Sequence, residues 1–405
     1  MQRSRILILA PDLPYPIRAG GHMRMGSIIQ ALSKTSDIHI ACVASEVFPE
    51  TNDWVADLGG TIVHISPPPL SGMRLWLQRL RAIISKCNLV FNDLENRFFK
   101  SQFEMFDPDL VWLETPYLLR YVVGWLYQVP IVVDYWGTSE GQERDYRHAQ
   151  GFYKLWQWLR WQTVRGSELR FSPLVKDIIT VSELDARHFK KIAPGSRIWP
   201  IPIGISHYPS AKTISGAGTD PNLLIFTGDM SFTPNVDAVI NFVQAILPKI
   251  QALHPAVRLM VAGRNPSREI LEFSKSSNIE ITGQVPDLSE EISKAAVYIL
   301  PMRLGSGFRT KLLDVFPLGK PIVTTTIGAE GLELIHNENC LIADDPESFA
   351  QACIQLLKDT GQARRLGRNT KRLANEVYTQ EKITRLVKTV ITTILGGKSA
   401  PEVNG

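Results

Sequence analysis

Arg309, Lys311 and Asp314 fall inside one glycine-bearing segment, PMRLGSGFRTKLLDVFPLGKPIVTTTIGAEGL, which runs from Pro301 to Leu332. Two cations this close together suit an anion as large as a diphosphate. Asp314, about a turn further on, is spaced to accept hydrogen bonds from vicinal hydroxyls, as acidic residues do with a ribose. Gly305 and Gly307 flank Ser306, whose hydroxyl adds a polar group to the same loop. A second reading fits the same residues: an amphipathic helix with solvated Arg, Lys and Asp and with Leu312, Leu313 and Phe316 packed on a sheet.

These side chains need a scaffold. The apolar run Val297 to Leu300 reads as a strand, Gly305 to Gly307 as a tight loop, and Thr310 to Leu318 as a helix ending near Gly319 and Pro321. A helix starting there would turn its positive end toward the anion. A further strand, Pro321 to Thr325, leads into a second glycine loop holding Gly328, Glu330 and Gly331.

The same grammar covers the chain. Strands are expected in the first half at Ile6 to Ala10, Ile38 to Val43, Thr61 to Ile65, Leu110 to Glu114, Ile131 to Asp134, Ile178 to Val181 and Ile198 to Ile201. The second half offers Leu223 to Thr227, Arg258 to Ala262, Ile279 to Thr282, Val297 to Leu300, Pro321 to Thr325 and Cys340 to Ala343. Helical segments separate most of them, which predicts an α/β class with two Rossmann-like, doubly wound parallel sheets facing across a cleft. The expected boundaries are a first domain over 1–205, a Ser/Gly/Thr/Pro-rich linker over 206–222, and a second domain over 223–378. A C-terminal helix over 379–395 packs back on the first domain, and 396–405 is a tail.

Composition narrows the function. The 405 residues carry a formal charge of +4 with both signs mixed along the chain, too weak and dispersed for a nucleic-acid partner. The four cysteines, Cys42, Cys87, Cys340 and Cys353, are far apart, so neither a disulfide framework nor a metal site is indicated and a cytoplasmic setting is expected. The apolar start, Ile6 to Ala10, is too short for a secretory core, and no stretch reads as long enough to span a membrane.

Four blocks in the second half carry a family resemblance: FTGDMSFTPNVDAVINF at Phe226 to Phe242, LMVAGRNP at Leu259 to Pro266, ITGQVPDL at Ile281 to Leu288, and the opening segment through IGAEGL. This half resembles the nucleotide-binding domain of group 1 (family 4) glycosyltransferases. The first half is similar more loosely, through PDLPYPIRAGGHMR at Pro11 to Arg24, ITVSELDARHF at Ile179 to Phe189 and IPIGI at Ile201 to Ile205. The resemblance implies a GT-B fold that moves a sugar, with retention, from a nucleoside-diphosphate sugar to a glycan or lipid-linked acceptor in surface polysaccharide or glycolipid assembly. It implies no metal and no further cofactor, and the chain has no Asp-x-Asp pair of the kind a diphosphate-bound cation would want. Gly20 and Gly21 match the family's first glycine loop, which approaches the donor phosphate. His22 and Arg24 beside it, and Asp134 at the end of the fifth strand, fall on the acceptor side. Gly228, Ser306, Gly307, Asp314, Gly328, Glu330 and Gly331 match donor-binding positions.

The chain departs from the family in two places. Ser306 and Asp314 stand where many relatives have two glutamates eight positions apart, and Gly228 is followed by Asp229, Met230 and Ser231 rather than by an Arg and a Lys. Arg309 and Lys311 read as the compensating cations that stabilise charge on the departing diphosphate. Two alternatives use the same fold, a nucleotide-sugar epimerase and a non-catalytic nucleotide-binding scaffold. After Asp134 the run Glu140, Glu143, Arg144 and Asp145 reads as a solvated face. Two basic amphipathic stretches, 73–87 and 153–170, the second with Trp156, Trp158 and Trp161, suit peripheral contact with a membrane.

Overall fold

The computed structural model describes residues 3–396 apart from 18, 45–47, 68–72, 74–91, 123, 125–127, 149–150 and 206–217. The chain forms two units, Met1–Ser206 with Gln380–Gly405, and His207–Thr379. Most of the stretch 73–87, with Cys87, and residues 206–217 of the linker lie outside the described residues.

In the first unit, seven strands pair in parallel: β1 (Ser4–Ala10), β2 (Ser36–Val43), β3 (Thr61–Ile65), β4 (Leu110–Leu113), β5 (Ile131–Tyr135), β6 (Asp177–Thr180) and β7 (Arg197–Pro200). Their order is β3-β2-β1-β4-β5-β6-β7. Both faces are covered, which is why β1 is a continuous apolar run rather than an alternating one. Ile6, Ile8, Trp112 and Val132 pack on one side against α1 (Gly20–Ser33), while Leu7, Leu9, Val111 and Val133 pack on the other. Three more helices matter here: α2 (Ser139–His148), α3 (Gly151–Phe171) and α4 (Glu183–Ile192).

The second unit repeats the scheme with β8 (Asp220–Thr227), β9 (Arg258–Ala262), β10 (Ile279–Gly283), β11 (Ala295–Leu300), β12 (Ile322–Thr324) and β13 (Leu341–Ile342), in the order β10-β9-β8-β11-β12-β13. Strand order reverses between β1 and β4 in one unit and between β8 and β11 in the other. Ligands of open parallel sheets sit beyond the strand carboxyl ends at such reversals. One helical run, Thr233–Leu253, is long and apolar enough by length and composition to cross a membrane, contrary to the sequence expectation. Its apolar face, Ala238, Val239, Phe242, Ile246 and Ile250, is buried in the unit's own core.

The C-terminal helix, α6 once α5 (Leu312–Val315) is counted, spans Gln380–Gly396 and belongs to the first unit. Its Ile383, Val387, Val390, Ile391 and Ile394 join the core under α1. Gln380 donates to the Ser27 carbonyl at 2.7 Å and accepts from Ser27 Oγ at 3.0 Å. Among the described residues, Cys42, Cys340 and Cys353 form no disulfide and are buried.

Candidate functional site

Residues 310–318 fold differently from the single helix expected. Leu312 N–H bonds to the Arg309 carbonyl at 3.0 Å and Leu313 N–H to that of Thr310 at 2.9 Å, so the chain enters through tight turns. Only Leu312–Val315 is α-helical; Phe316–Leu318 is a 3-10 turn, closed by Gly319 in the left-handed region. Pro317 explains the change, because it has no N–H to donate and its ring crowds the preceding turn. A helix this short supplies little dipole, so any anion here must be met by the side-chain cations and loop amides themselves.

Lys311 reaches back to the carboxyl end of β8. Its Nζ donates to the Thr227 carbonyl at 3.0 Å and to Asn235 Oδ1 at 2.6 Å, and lies 4.5 Å from the Phe226 ring centroid. Asn235 in turn donates to the Asp229 carbonyl at 2.8 Å. Gly228 makes this approach fit: a Cβ there would lie 2.9 Å from Lys311 Nζ and 2.7 Å from Asn235 Nδ2. Burial, followed by the charge of Arg309, lowers Lys311 to about 7. The amine is therefore poised between its charged and neutral forms near neutrality.

Arg309 ties the two glycine loops together. It donates to the Gly305 carbonyl at 2.9 Å, the Ser306 carbonyl at 3.4 Å and the Ile327 carbonyl at 3.1 and 3.2 Å, and is 7% exposed. Gly305 and Gly307 hold φ of 93° and 86°, a region that side-chain-bearing residues avoid. In the second loop, a Cβ on Gly328 would lie 2.3 Å from Thr324 Oγ1, and one on Gly331 3.3 Å from the Phe308 Cα. Ser306, Asp314 and Glu330 are half-buried around this framework.

Asp229 looks at first like a charge opposed to a phosphate. Burial pushes it up, but Ser231, Arg264 and Asn265 outweigh that and hold it well below the usual carboxylate range. Arg264 Nε donates to Asp229 Oδ2 at 2.7 Å, so the acid at the end of β8 carries its own counter-ion.

The first-domain residues form a second group, in the other unit. Arg24, 1% exposed, forks onto both oxygens of Asp134 at 2.7 and 2.9 Å and donates to the carbonyls of Ile201 and Pro202 at 2.6 and 2.9 Å. Both Asp134 oxygens are thus committed to holding α1 on β5. Gly21 is where the Trp136 ring packs, since a Cβ there would lie 2.8 Å from Trp136 Cζ3. Gly20 opens the same first turn, and His22 has Nε2 3.5 Å from Asp12 Oδ2 and a buried Nδ1 that lacks a hydrogen-bond partner among the described residues.

Two residues escaped the sequence reading. Asn235 lies in the quoted block of Phe226 to Phe242, yet nothing in its spacing ties it to a lysine 76 positions away. Glu114 is a charged residue directly after an all-apolar strand, which was a usable signal. It is fully buried, and neither carboxyl oxygen has a hydrogen-bond partner among the described residues. Burial and then the Asp134 charge push Glu114 well above the usual carboxylate range, against the smaller pull of Arg24. Among the described residues, no group of three or more His, Cys, Asp or Glu is placed to hold a metal ion.

Residues 221–359 match the model of the family described as Glycosyl transferases group 1. In sequence, the chain is 25% identical over 168 residues to a 44.6 kDa protein of the cps region of Klebsiella pneumoniae, and 27% identical over 189 residues to the phosphatidyl-myo-inositol mannosyltransferase of Mycolicibacterium smegmatis. The matches cover 40% and 45% of this chain, and span less than half of those relatives, 43% and 48% of their lengths. In structure, sucrose-phosphate synthase from Thermosynechococcus elongatus aligns with a TM-score of 0.71 at 14% identity, over 98% of this chain and 100% of that one. HepE of Anabaena, solved with UDP-glucose, aligns with a TM-score of 0.64 at 12% identity, over 96% and 100%. These likenesses establish the fold as GT-B.

Proposed function

The second unit of this chain belongs to the group 1 glycosyltransferases, and from that premise we propose that the protein transfers a sugar from a nucleoside-diphosphate sugar to a glycan or lipid-linked acceptor. The observation that carries the reading is the placement of Lys311 and Arg309 at the carboxyl edge of the β8–β11 reversal, between two glycine loops. Lys311 meets the diphosphate, Arg309 holds the loops that present their amides to it, and Asp314 takes the ribose hydroxyls. Neighbours solved with UDP and with UDP-glucose support a uridine nucleotide as the first donor to test.

In the proposed step the bond from the sugar C1 to the diphosphate oxygen breaks and one from C1 to the acceptor oxygen forms on the same face. The acceptor proton passes to the departing phosphate, so no enzyme nucleophile is needed and configuration is retained. Protein cations, rather than a divalent ion, carry the leaving-group charge. Assembly of surface polysaccharide or glycolipid fits the cps-region and mannosyltransferase relatives.

The test is a panel of nucleotide sugars incubated with the purified chain, with slow release of nucleoside diphosphate as the readout. Release from at least one donor is expected. Sugar interconversion without release would favour an epimerase, and binding without turnover, even with membrane extract as acceptor, a scaffold.

We also take α3 to rest on an anionic membrane surface at the cytoplasmic face. It exposes Leu155, Trp156, Trp158 and Leu169, with Lys154, Arg160, Arg165 and Arg170 around them. Tryptophans flanked by cations suit the headgroup region. Sedimentation with vesicles containing phosphatidylglycerol should show salt-sensitive binding that falls at least fivefold in a Trp156→Ser, Trp158→Ser double variant. Equal partition of the two proteins would remove this contact.

A further inference from the structure

The acidic run after β5, expected to be a solvated face, walls a cavity of about 310 Å³ between α2, α3 and α4. Its chemistry is organised around Glu168 on α3, which is 3% exposed. Glu168 accepts the Ser139 N–H at 2.7 Å, the Ser139 hydroxyl, and His188 Nε2 at 2.8 Å. His188, itself buried on α4, turns its Nδ1 to Glu140 Oε1 at 3.2 Å. Burial pushes the imidazole down, but hydrogen bonds and charge from Glu168 and then Glu140 outweigh this and raise it. A chain of bonds thus runs from the floor of the cavity to a carboxylate at its mouth.

The remaining wall is aromatic and cationic. Trp161 stacks on Tyr146 with centroids 5.7 Å apart, and Arg165 lies 5.7 Å from the Trp161 ring. Lys191 comes within 3.7 Å of Glu140, and Glu143 pairs with Arg147 at 2.5 Å. Carboxylates and cations therefore answer one another, which leaves little net field to select a charged ligand. Many donors and acceptors held in fixed orientation beside an indole edge instead suit a neutral polyhydroxylated ligand. The volume lies at the small end of the roughly 300–1,000 Å³ typical of small-molecule sites.

The geometry points to a secondary sugar subsite, in which Glu140, held in place by His188 and through it by Glu168, orients one neutral pyranose of the acceptor against the Trp161 wall. Its biological meaning rests on the glycosyltransferase reading, while its existence is a matter of binding alone. The pyranose could come from a free glycan or from a glycolipid headgroup, and the two sources are separable.

Saturation-transfer NMR on the full chain, without nucleotide, tests methyl α-glucoside, methyl α-mannoside and methyl β-galactoside in solution, and vesicles carrying glucosyl diacylglycerol by sedimentation. At least one glycoside should bind, at least tenfold more weakly to Glu140→Ala, whose half-exposed side chain can be removed without opening the core. Glycolipid-vesicle binding that exceeds binding to sugar-free vesicles, and that Glu140→Ala abolishes, would support the subsite with the lipid as source. Absence of binding in both arms, or binding that Glu140→Ala leaves unchanged, overturns it. Donor hydrolysis by the same wild-type sample judges the transferase reading separately, so the failure of one is not mistaken for the failure of the other.

Discussion

Arg309→Ala is expected to loosen both glycine loops of the second unit at once and to abolish measurable donor binding. The guanidinium bonds to the carbonyls of Gly305, Ser306 and Ile327, so its loss leaves buried acceptors unanswered on both loops. A charge-assisted hydrogen bond contributes about 1.5–3 kcal/mol, and several are lost together, so the loops should open at least a hundredfold more often. Hydrogen exchange of amides in residues 303–331 reads this directly. Arg309→Lys keeps the charge but cannot fork between the loops. It should retain part of the donor affinity while exchange stays fast, which separates the positioning role from the electrostatic one. Unchanged exchange in Arg309→Ala would contradict the role given to this residue.

The second large effect lies in the first unit. Asp134→Ala should destabilise the protein by about 3–5 kcal/mol, because it removes the carboxylate that accepts two hydrogen bonds from the buried Arg24. Replacing both partners by apolar residues, as in Arg24→Met with Asp134→Leu, should recover most of that loss, since neither charge of the pair then remains buried. The melting temperature of the first unit checks both variants. A shift of only about a degree in Asp134→Ala would mean that the pair does not hold α1 to the sheet. Because both Asp134 oxygens already accept from Arg24, a role as acceptor base would require breaking this pair.

Much of the fold was legible because parallel strands buried on both faces are continuous apolar runs, and each expected strand corresponds to an observed one with ends that differ by a few residues. The register that follows was not. Leu113 pairs with Val133, which brings Glu114 alongside Asp134, and no local pattern shows that two buried acids will lie near one arginine. The helix after Ser306 was overextended even though Pro317 was in view, and with it went the argument from a helix dipole. The two cations are legible as a pair, because they lie in one glycine-bearing segment. Their partners are not, because Thr227, Asn235 and Ile327 act through positions that only the folded β8 and β12 loops bring within reach. The cavity behind the acidic run after β5 is hidden for a related reason: the partner of Glu140, His188, comes from a helix more than forty residues later.

Lys311 offers the most direct test of the donor site. With the free amine lowered to about 7, the folded state carries a cost for protonating it that is absent above the unfolded value, grows as pH falls from there, and is complete below about 7. A diphosphate beside it would raise that value again, so donor binding between pH 7 and 8.5 should draw a proton from solution and weaken as pH rises. A nucleotide sugar is the right probe, because its diphosphate diester has no group of its own titrating there. Calorimetric titration of UDP-glucose and GDP-mannose, in buffers of differing ionisation enthalpy, measures the protons taken up. We expect uptake approaching one proton at pH 8, lost in Lys311→Met together with at least tenfold in affinity; tight binding with no uptake, or equal affinity in that variant, would contradict the site.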